Sequence, residues 1–267
     1  LDDGSDIAYD KLLLATGCRA RMLTLPGCEL HGIHALRDLD DAQAIRDSIH
    51  ADRHMVVIGG GFVGLEVAAV AVTMGMHVTV VEAGPRLLGR VMPPAMSSWF
   101  ESLHAAQGVQ IRLDAKVAGF EGNDKGHVRA VRVDDELLRA DIVVVGIGIV
   151  ANQELAASAG LNCDDGILVD TRCMTSHSDV YAAGDCTRHP QPILGGYLRL
   201  ESVHNAMSQG KIAANNLLGI DSEYSEMPWF WSDQFDANIQ MIGVPQSWEQ
   251  LATRGDPASE EFITFYL

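Results

Sequence analysis

The chain has 267 residues, with 19 Lys and Arg against 36 Asp and Glu, a formal net charge of −17, 47% hydrophobic residues and 26 glycines. This composition describes a folded chain of one large or two ordinary domains and excludes a disordered or low-complexity one. The acidic balance argues against non-specific binding to nucleic acid or to an anionic membrane surface.

The chain starts at Leu1 and stops inside a strand-like run, Phe262-Ile263-Thr264-Phe265-Tyr266-Leu267. It reads as a fragment of a longer protein, from which no signal or transit peptide can be read. No internal repeat is obvious. Five cysteines, at 18, 28, 163, 173 and 186, make no Cys-x-x-Cys pair, and the ten histidines are spread along the chain. The expectations are reduced thiols, a cytoplasmic location and no metal site.

Near the start, Tyr9-Asp10-Lys11-Leu12-Leu13-Leu14-Ala15-Thr16-Gly17 predicts a buried strand ending on Ala-Thr-Gly. Next, Met55 to Val72 is apolar apart from Glu66, yet it holds Gly59, Gly60, Gly61 and Gly64. Those glycines would break up a spanning helix. The run is therefore read as a buried strand, a tight turn and a buried helix, not as a membrane span.

The turn fits Gly-x-Gly-x-x-Gly, with Val63 inside it and Gly75 as the helix stop. A second strand, His77-Val78-Thr79-Val80-Val81, leads to Glu82. In this arrangement Gly59 permits the turn, Gly61 lets backbone amides approach a pyrophosphate, and Gly64 lets helix and strand pack closely. The helix start supplies unpaired N–H donors and a positive dipole end. An acid at Glu82 accepts from adenosine ribose hydroxyls and repels a 2′-phosphate, which favours NADH over NADPH. Ala83 supplies no compensating arginine, although Arg86 and Arg90 are near in sequence. Glu66 has two readings: a carboxylate placed on the helix dipole, or a polar group facing the nicotinamide end.

Further along, Asp141-Ile142-Val143-Val144-Val145-Gly146-Ile147-Gly148 reads as another strand, followed by Ala151-Asn152. Then comes Asp179-Val180-Tyr181-Ala182-Ala183-Gly184-Asp185. With the Ala-Thr-Gly strand, these motifs resemble the two-dinucleotide-binding flavoprotein reductases of the pyridine nucleotide-disulfide reductase superfamily. Two later strings, Leu200-Glu201-Ser202-Val203-His204-Asn205-Ala206 and Pro228-Trp229-Phe230-Trp231-Ser232-Asp233-Gln234, narrow the likeness. They are similar to the ferredoxin reductases of bacterial oxygenase systems, including reductase components of aromatic-ring dioxygenases and of putidaredoxin-type haem monooxygenases.

The resemblance implies an α/β fold of two Rossmann-like domains and the start of a C-terminal interface domain. Residues 1–20 and 149–224 would form the FAD domain, 21–148 the NAD domain, and 225–267 the interface segment. It implies that Asp185 bonds the ribityl chain of FAD, that Gly184 allows close approach, and that Thr16 and Gly17 end a strand of that domain. Glu201, Ser202 and Val203 would lie at the flavin ring on a helix start. Trp231, with Trp229 second, would stand near the flavin, where an iron–sulfur partner docks. Glu66, Glu82, Arg90, Val145 and Gly146 match positions lining the NADH site, whereas His204 receives no role. Part of the family's FAD site would lie upstream of residue 1.

The implied activity is transfer of hydride from NADH to FAD, then of single electrons to a 2Fe–2S ferredoxin feeding an oxygenase. No protein acid, base, nucleophile or metal is required, because the cofactors carry the chemistry. Rubredoxin reductase, NADH oxidase and disulfide reductase stay open within the superfamily, as does a non-enzymatic NADH sensor.

Overall fold

The computed structural model describes residues 3–245, 247–259 and 261–267. Leu1 and Asp2, where the first expected segment begins, lie outside them. The chain divides into two compact units, Leu1–Arg19 with Val150–Phe230 and Gln240–Val244, and Ala20–Ile149 with Trp231–Ile239 and Pro245–Leu267.

The second unit is built on a five-stranded parallel sheet in the order Ile33–Ala35, Ile142–Val145, His54–Ile58, His77–Val81, Gln110–Arg112. Met55, Val56, Val57 and Ile58 are all buried, as are all four residues of Ile142–Val145. Such runs need cover on both faces. Alternation shares out the work. Val56, Ile58, Val143 and Val145 join Phe120, Val131 and Val133 in one core. That face is therefore covered by the antiparallel sheet Val117–Gly122, Val128–Val133, Glu136–Arg139. Val57 points the other way, to the helix Phe62–Thr73, where its Cγ1 lies 3.2 Å from the place a Cβ on Gly64 would occupy.

The apolar run from Met55 to Val72 is thus strand, glycine turn and helix, as its glycines indicated. The helix stops at Met74 and Gly75, whose φ of +86° favours glycine. Asp38 closes a capping box with Asp41 on the helix Leu39–Ser48, and Pro94 occupies the first turn of Pro94–Ala106. In the same unit the hairpin strands Leu251–Asp256 and Glu261–Tyr266 pair antiparallel. The Trp99 indole N–H donates to Pro257 O at 3.1 Å, and its ring meets Phe262 at 5.4 Å. The regular elements among the described residues of 225–267 are four strands and one 3-10 turn, shared between the two units.

In the first unit Leu12–Leu14 pairs in parallel with Val180–Ala182 around a core of Leu14, Ile167, Val169, Val180, Ala182 and Cys186. The strand expected from Tyr9 is shorter than its sequence suggested. Tyr9 is 59% exposed, because the partner strand offers only three residues to pair with. The helix Val203–Leu217 starts on Ser202, whose Oγ accepts the Asn205 N–H at 3.2 Å. Among the described residues, no helix is long and apolar enough to cross a membrane.

Candidate functional site

The three motif glycines do different things. Gly59 has φ +107°, donates its N–H to Val81 O at 2.8 Å, and would drive a Cβ into the Gly146 carbonyl. A Cβ on Gly64 would collide with the Gly59 carbonyl. Both glycines therefore serve close backbone packing. Gly61 has nothing within 4 Å of a Cβ, and it caps the helix with no side-chain hydrogen bond. The space beside Gly61 at the helix start is therefore open, which leaves room for a phosphate to approach. Val63, on the first turn, is 44% exposed. Val145 and Gly146 lie beside the turn at the end of the neighbouring strand, with Gly146 N–H bonded to Ile58 O at 2.8 Å.

Glu82 is fixed by two backbone donors. Its Oε2 accepts from Gly60 N–H and its Oε1 from Gly84 N–H, each at 2.7 Å. Each oxygen keeps a second lone pair for a ribose hydroxyl. Of the two nearby arginines, Arg86 is committed elsewhere, donating to Met92 O at 2.5 Å, Ser97 Oγ at 3.1 Å and Gly89 O at 2.8 Å. Arg90 is exposed, with Nη2 3.6 Å from the place of a Cβ on Gly148.

Glu66 has a partner that neither sequence reading supplied. Ser232 donates to Glu66 Oε1 at 2.5 Å, Gln234 Nε2 donates to Ser232 Oγ at 3.0 Å, and Gln234 Oε1 lies 2.8 Å from His104 Nε2. Half-burial pushes the Glu66 carboxyl above the usual range, the Ser232 bond pulls it back, and Asp233 adds to the rise. Ser232 and Gln234, to which the sequence resemblance gives no role, are the buried face of this strand, while Trp231 is half-buried on the other. A two-residue alternation through Ser-Asp-Gln was the available signal.

In the first unit, Thr16 Oγ1 donates to Asn152 O at 2.6 Å and Asn152 Nδ2 donates to Thr16 O at 2.9 Å. This reciprocal clasp holds the Ala-Thr-Gly turn, where Gly17 has φ +62°. The half-buried Asp185 accepts from Cys18 Sγ at 3.4 Å. Gly184 donates to Gln209 Oε1 at 2.7 Å, and a Cβ on it would lie 3.6 Å from Ala206. Thr16, Gly17, Gly184, Asp185 and the helix start at Ser202 are thereby gathered together. Buried Gln209 Nε2 and Asn205 Oδ1 have no partner there, which suits a polar group still to be bound. Glu201 is exposed and paired with Arg199 at 2.5 Å, and Val203 is 57% exposed. The His204 ring meets Trp229 edge-on at 5.8 Å.

A five-stranded parallel sheet with a glycine turn into a helix and a ribose-type acid defines a dinucleotide-binding α/β protein. The chain belongs to the pyridine nucleotide-disulphide oxidoreductase family, which matches residues 1–210, and a reductase C-terminal family matches residues 229–267. It is 42% identical to the ferredoxin–NAD(+) reductase component of the anthranilate 1,2-dioxygenase system of Burkholderia cepacia, over all of this chain and 66% of that one. It is 41% identical to putidaredoxin reductase of Pseudomonas putida, over all of this chain and 64% of that one. A rubredoxin–NAD(+) reductase of Pseudomonas putida is 40% identical over 93% of this chain and 65% of its own length. The chain thus spans just under two thirds of these relatives. The crystal structure of a covalent putidaredoxin reductase–putidaredoxin complex aligns with a TM-score of 0.96 and 40% identity, over 99% of this chain and 65% of that one.

Proposed function

We propose that this chain is the greater part of an NADH-dependent, FAD-containing ferredoxin reductase whose electrons pass to a 2Fe–2S ferredoxin serving an oxygenase in the cytoplasm. The observation that carries the reading is the Trp-Phe-Trp-Ser-Asp-Gln strand. It lies in the reductase C-terminal family match, and its Ser232 bonds the one carboxylate of the glycine-turn helix. The names of the relatives support the same reading. Bound nicotinamide and flavin would supply the hydride transfer and its division into single electrons.

The residues of the chain bind and orient. The helix start at Gly61 takes the pyrophosphate of NADH, Glu82 the adenosine ribose, and Glu66 the nicotinamide end, with Val63, Arg90, Val145 and Gly146 lining the site. Asp185 holds the ribityl chain of FAD on the surface shaped by Thr16, Gly17 and Gly184, and Glu201, Ser202 and Val203 border its ring. Trp231 anchors the protein partner, with Trp229 beside it in sequence. We assign residues 1–20 and 149–224 to the FAD domain, 21–148 to the NAD domain and 225–267 to the interface segment.

A rubredoxin is the second acceptor to consider, since one relative at 40% identity is named for it. The test is NADH-dependent reduction of a 2Fe–2S ferredoxin and of a rubredoxin by the FAD-loaded protein, beside Asp185→Ala. The variant should be purified with little yellow colour, since a hydrogen bond to a charged group is worth roughly 1.5–3 kcal/mol, about ten- to a hundredfold in affinity. Full flavin occupancy in Asp185→Ala would remove Asp185 from the site. NADH consumption with oxygen or a disulfide, and none with either iron protein, would overturn the acceptor class.

A further inference from the structure

Four side chains form one unbroken line inside the second unit, from His104 on the helix Pro94–Ala106, through Gln234 and Ser232, to Glu66 on the helix Phe62–Thr73. His104 and Gln234 are fully buried and Ser232 is 1% exposed, whereas Glu66 is half-buried. Solvent therefore reaches the line at its Glu66 end.

The line has a single direction. A carboxamide oxygen only accepts, and Gln234 turns that oxygen to His104 because its nitrogen donates to Ser232. His104 must then carry its proton on Nε2. Burial pushes its imidazole below the ordinary range, which keeps the ring neutral. Its Nδ1 is buried without a partner, with the Phe235 ring 5.0 Å away, and a bare lone pair is the cheaper group to leave there. Ser232 receives from Gln234, so its own proton is aimed at Glu66. With Glu66 ionised and so able only to accept, reversing any one member would set donor against donor or acceptor against acceptor.

We propose that Ser232, Gln234 and His104 are positioning residues for Glu66, holding it as an oriented carboxylate through Oε1 and leaving Oε2 to accept from the carboxamide of a bound nicotinamide. This rests on the reading of Glu66 as the group at the nicotinamide end. Burial and the like charge of Asp233 both favour the protonated acid, and the Ser232 hydrogen bond opposes them. Bonds of this kind to an ionised group are among the stronger ones. Losing it would favour the protonated acid, which presents a hydroxyl where an acceptor is needed.

The test uses the full chain, with carbon-13 in glutamate side chains and nitrogen-15 in histidine rings. The His104 ring should show the Nε2–H tautomer. Ser232→Ala should raise the Glu66 titration midpoint by about one pH unit and weaken NADH binding, read by fluorescence at neutral pH, about fivefold. Ser232→Thr keeps the hydroxyl and should restore both. A Ser232 that only supports the fold would lower the melting temperature without moving the Glu66 midpoint. That result, or an Nδ1–H or doubly protonated His104, overturns the positioning line. Glu66→Gln tests the underlying reading separately, because unchanged NADH affinity there removes Glu66 from the nicotinamide end even if the Ser232 effect on its titration persists.

Discussion

The Gly60 N–H donates to Glu82 Oε2 at 2.7 Å, joining the glycine turn to the end of the neighbouring strand across 22 residues of sequence. With Gly84 N–H on Oε1, this orients the carboxylate before any nucleotide arrives. Preorganisation of that kind lowers the ordering cost of binding.

Replacing Glu82 with Arg should therefore do two things. It exchanges repulsion of a 2′-phosphate for attraction, about 4 kcal/mol in contact at an effective dielectric near 20, and so shifts the ratio of NADPH to NADH use at least roughly tenfold. It also removes the acceptor of Gly60 and Gly84, so NADH affinity falls. Steady-state kinetics with both cofactors read the ratio, and an unchanged ratio would take Glu82 out of the ribose site.

The motif glycines separate fold from binding. Gly64→Ala forces a methyl group into the Gly59 carbonyl and should cost roughly 1–3 kcal/mol of stability. Gly61→Ala meets open space at an ordinary φ of −85°, and as a weaker N-cap should cost less than about 1 kcal/mol. Its methyl group occupies the approach of the pyrophosphate, so NADH affinity should drop about tenfold. Denaturant melts and NADH titrations of both variants check this, and full affinity in Gly61→Ala would contradict the phosphate assignment.

His189 should make the fold sensitive to acid. Burial pushes its imidazole from the ordinary 6.5 down to about 4, with both ring nitrogens buried and unpartnered beside the Tyr224 ring at 4.9 Å. Below pH 6.5 the unfolded chain takes up this proton while the folded chain refuses it. Its contribution is thus full above 6.5 and is lost as pH falls toward 4, roughly 3 kcal/mol in all. Urea unfolding of the wild type and of His189→Phe at several pH values would measure it. An equal acid slope in both would acquit His189.

Trp231→Ala should slow ferredoxin reduction at least about fivefold, the typical loss on truncating an aromatic anchor. Flavin bleaching by NADH should stay nearly intact, because the strand turns Ser232 and Gln234 inward and Trp231 to the opposite side. Stopped-flow bleaching followed by steady-state ferredoxin reduction reads the two halves. Equal losses would assign Trp231 to the flavin pocket, and no loss would make it filler.

What the sequence determined by itself is whatever neighbouring residues decide among themselves. The strand His54–Ile58, the turn and the helix Phe62–Thr73 follow from an apolar β-branched run and three spaced glycines, and Gly75 ends the helix because it tolerates a positive φ. The acid at Glu82 and the Ala-Thr-Gly and Gly-Asp motifs were legible for the same reason, with the family likeness resting on them. Tertiary structure decided the pairings. That Leu12–Leu14 pairs and Tyr9 does not depends on the length of a partner strand 168 residues further on. Arg86 and Arg90 look alike in sequence, and only the fold of the loop sends the Arg86 donors to Met92, Gly89 and Ser97. The link from Ser232 to Glu66 spans 166 residues. A half-buried carboxylate calls for a donor, but which donor it receives depends on the register in which two distant segments pack, and no local propensity encodes that register.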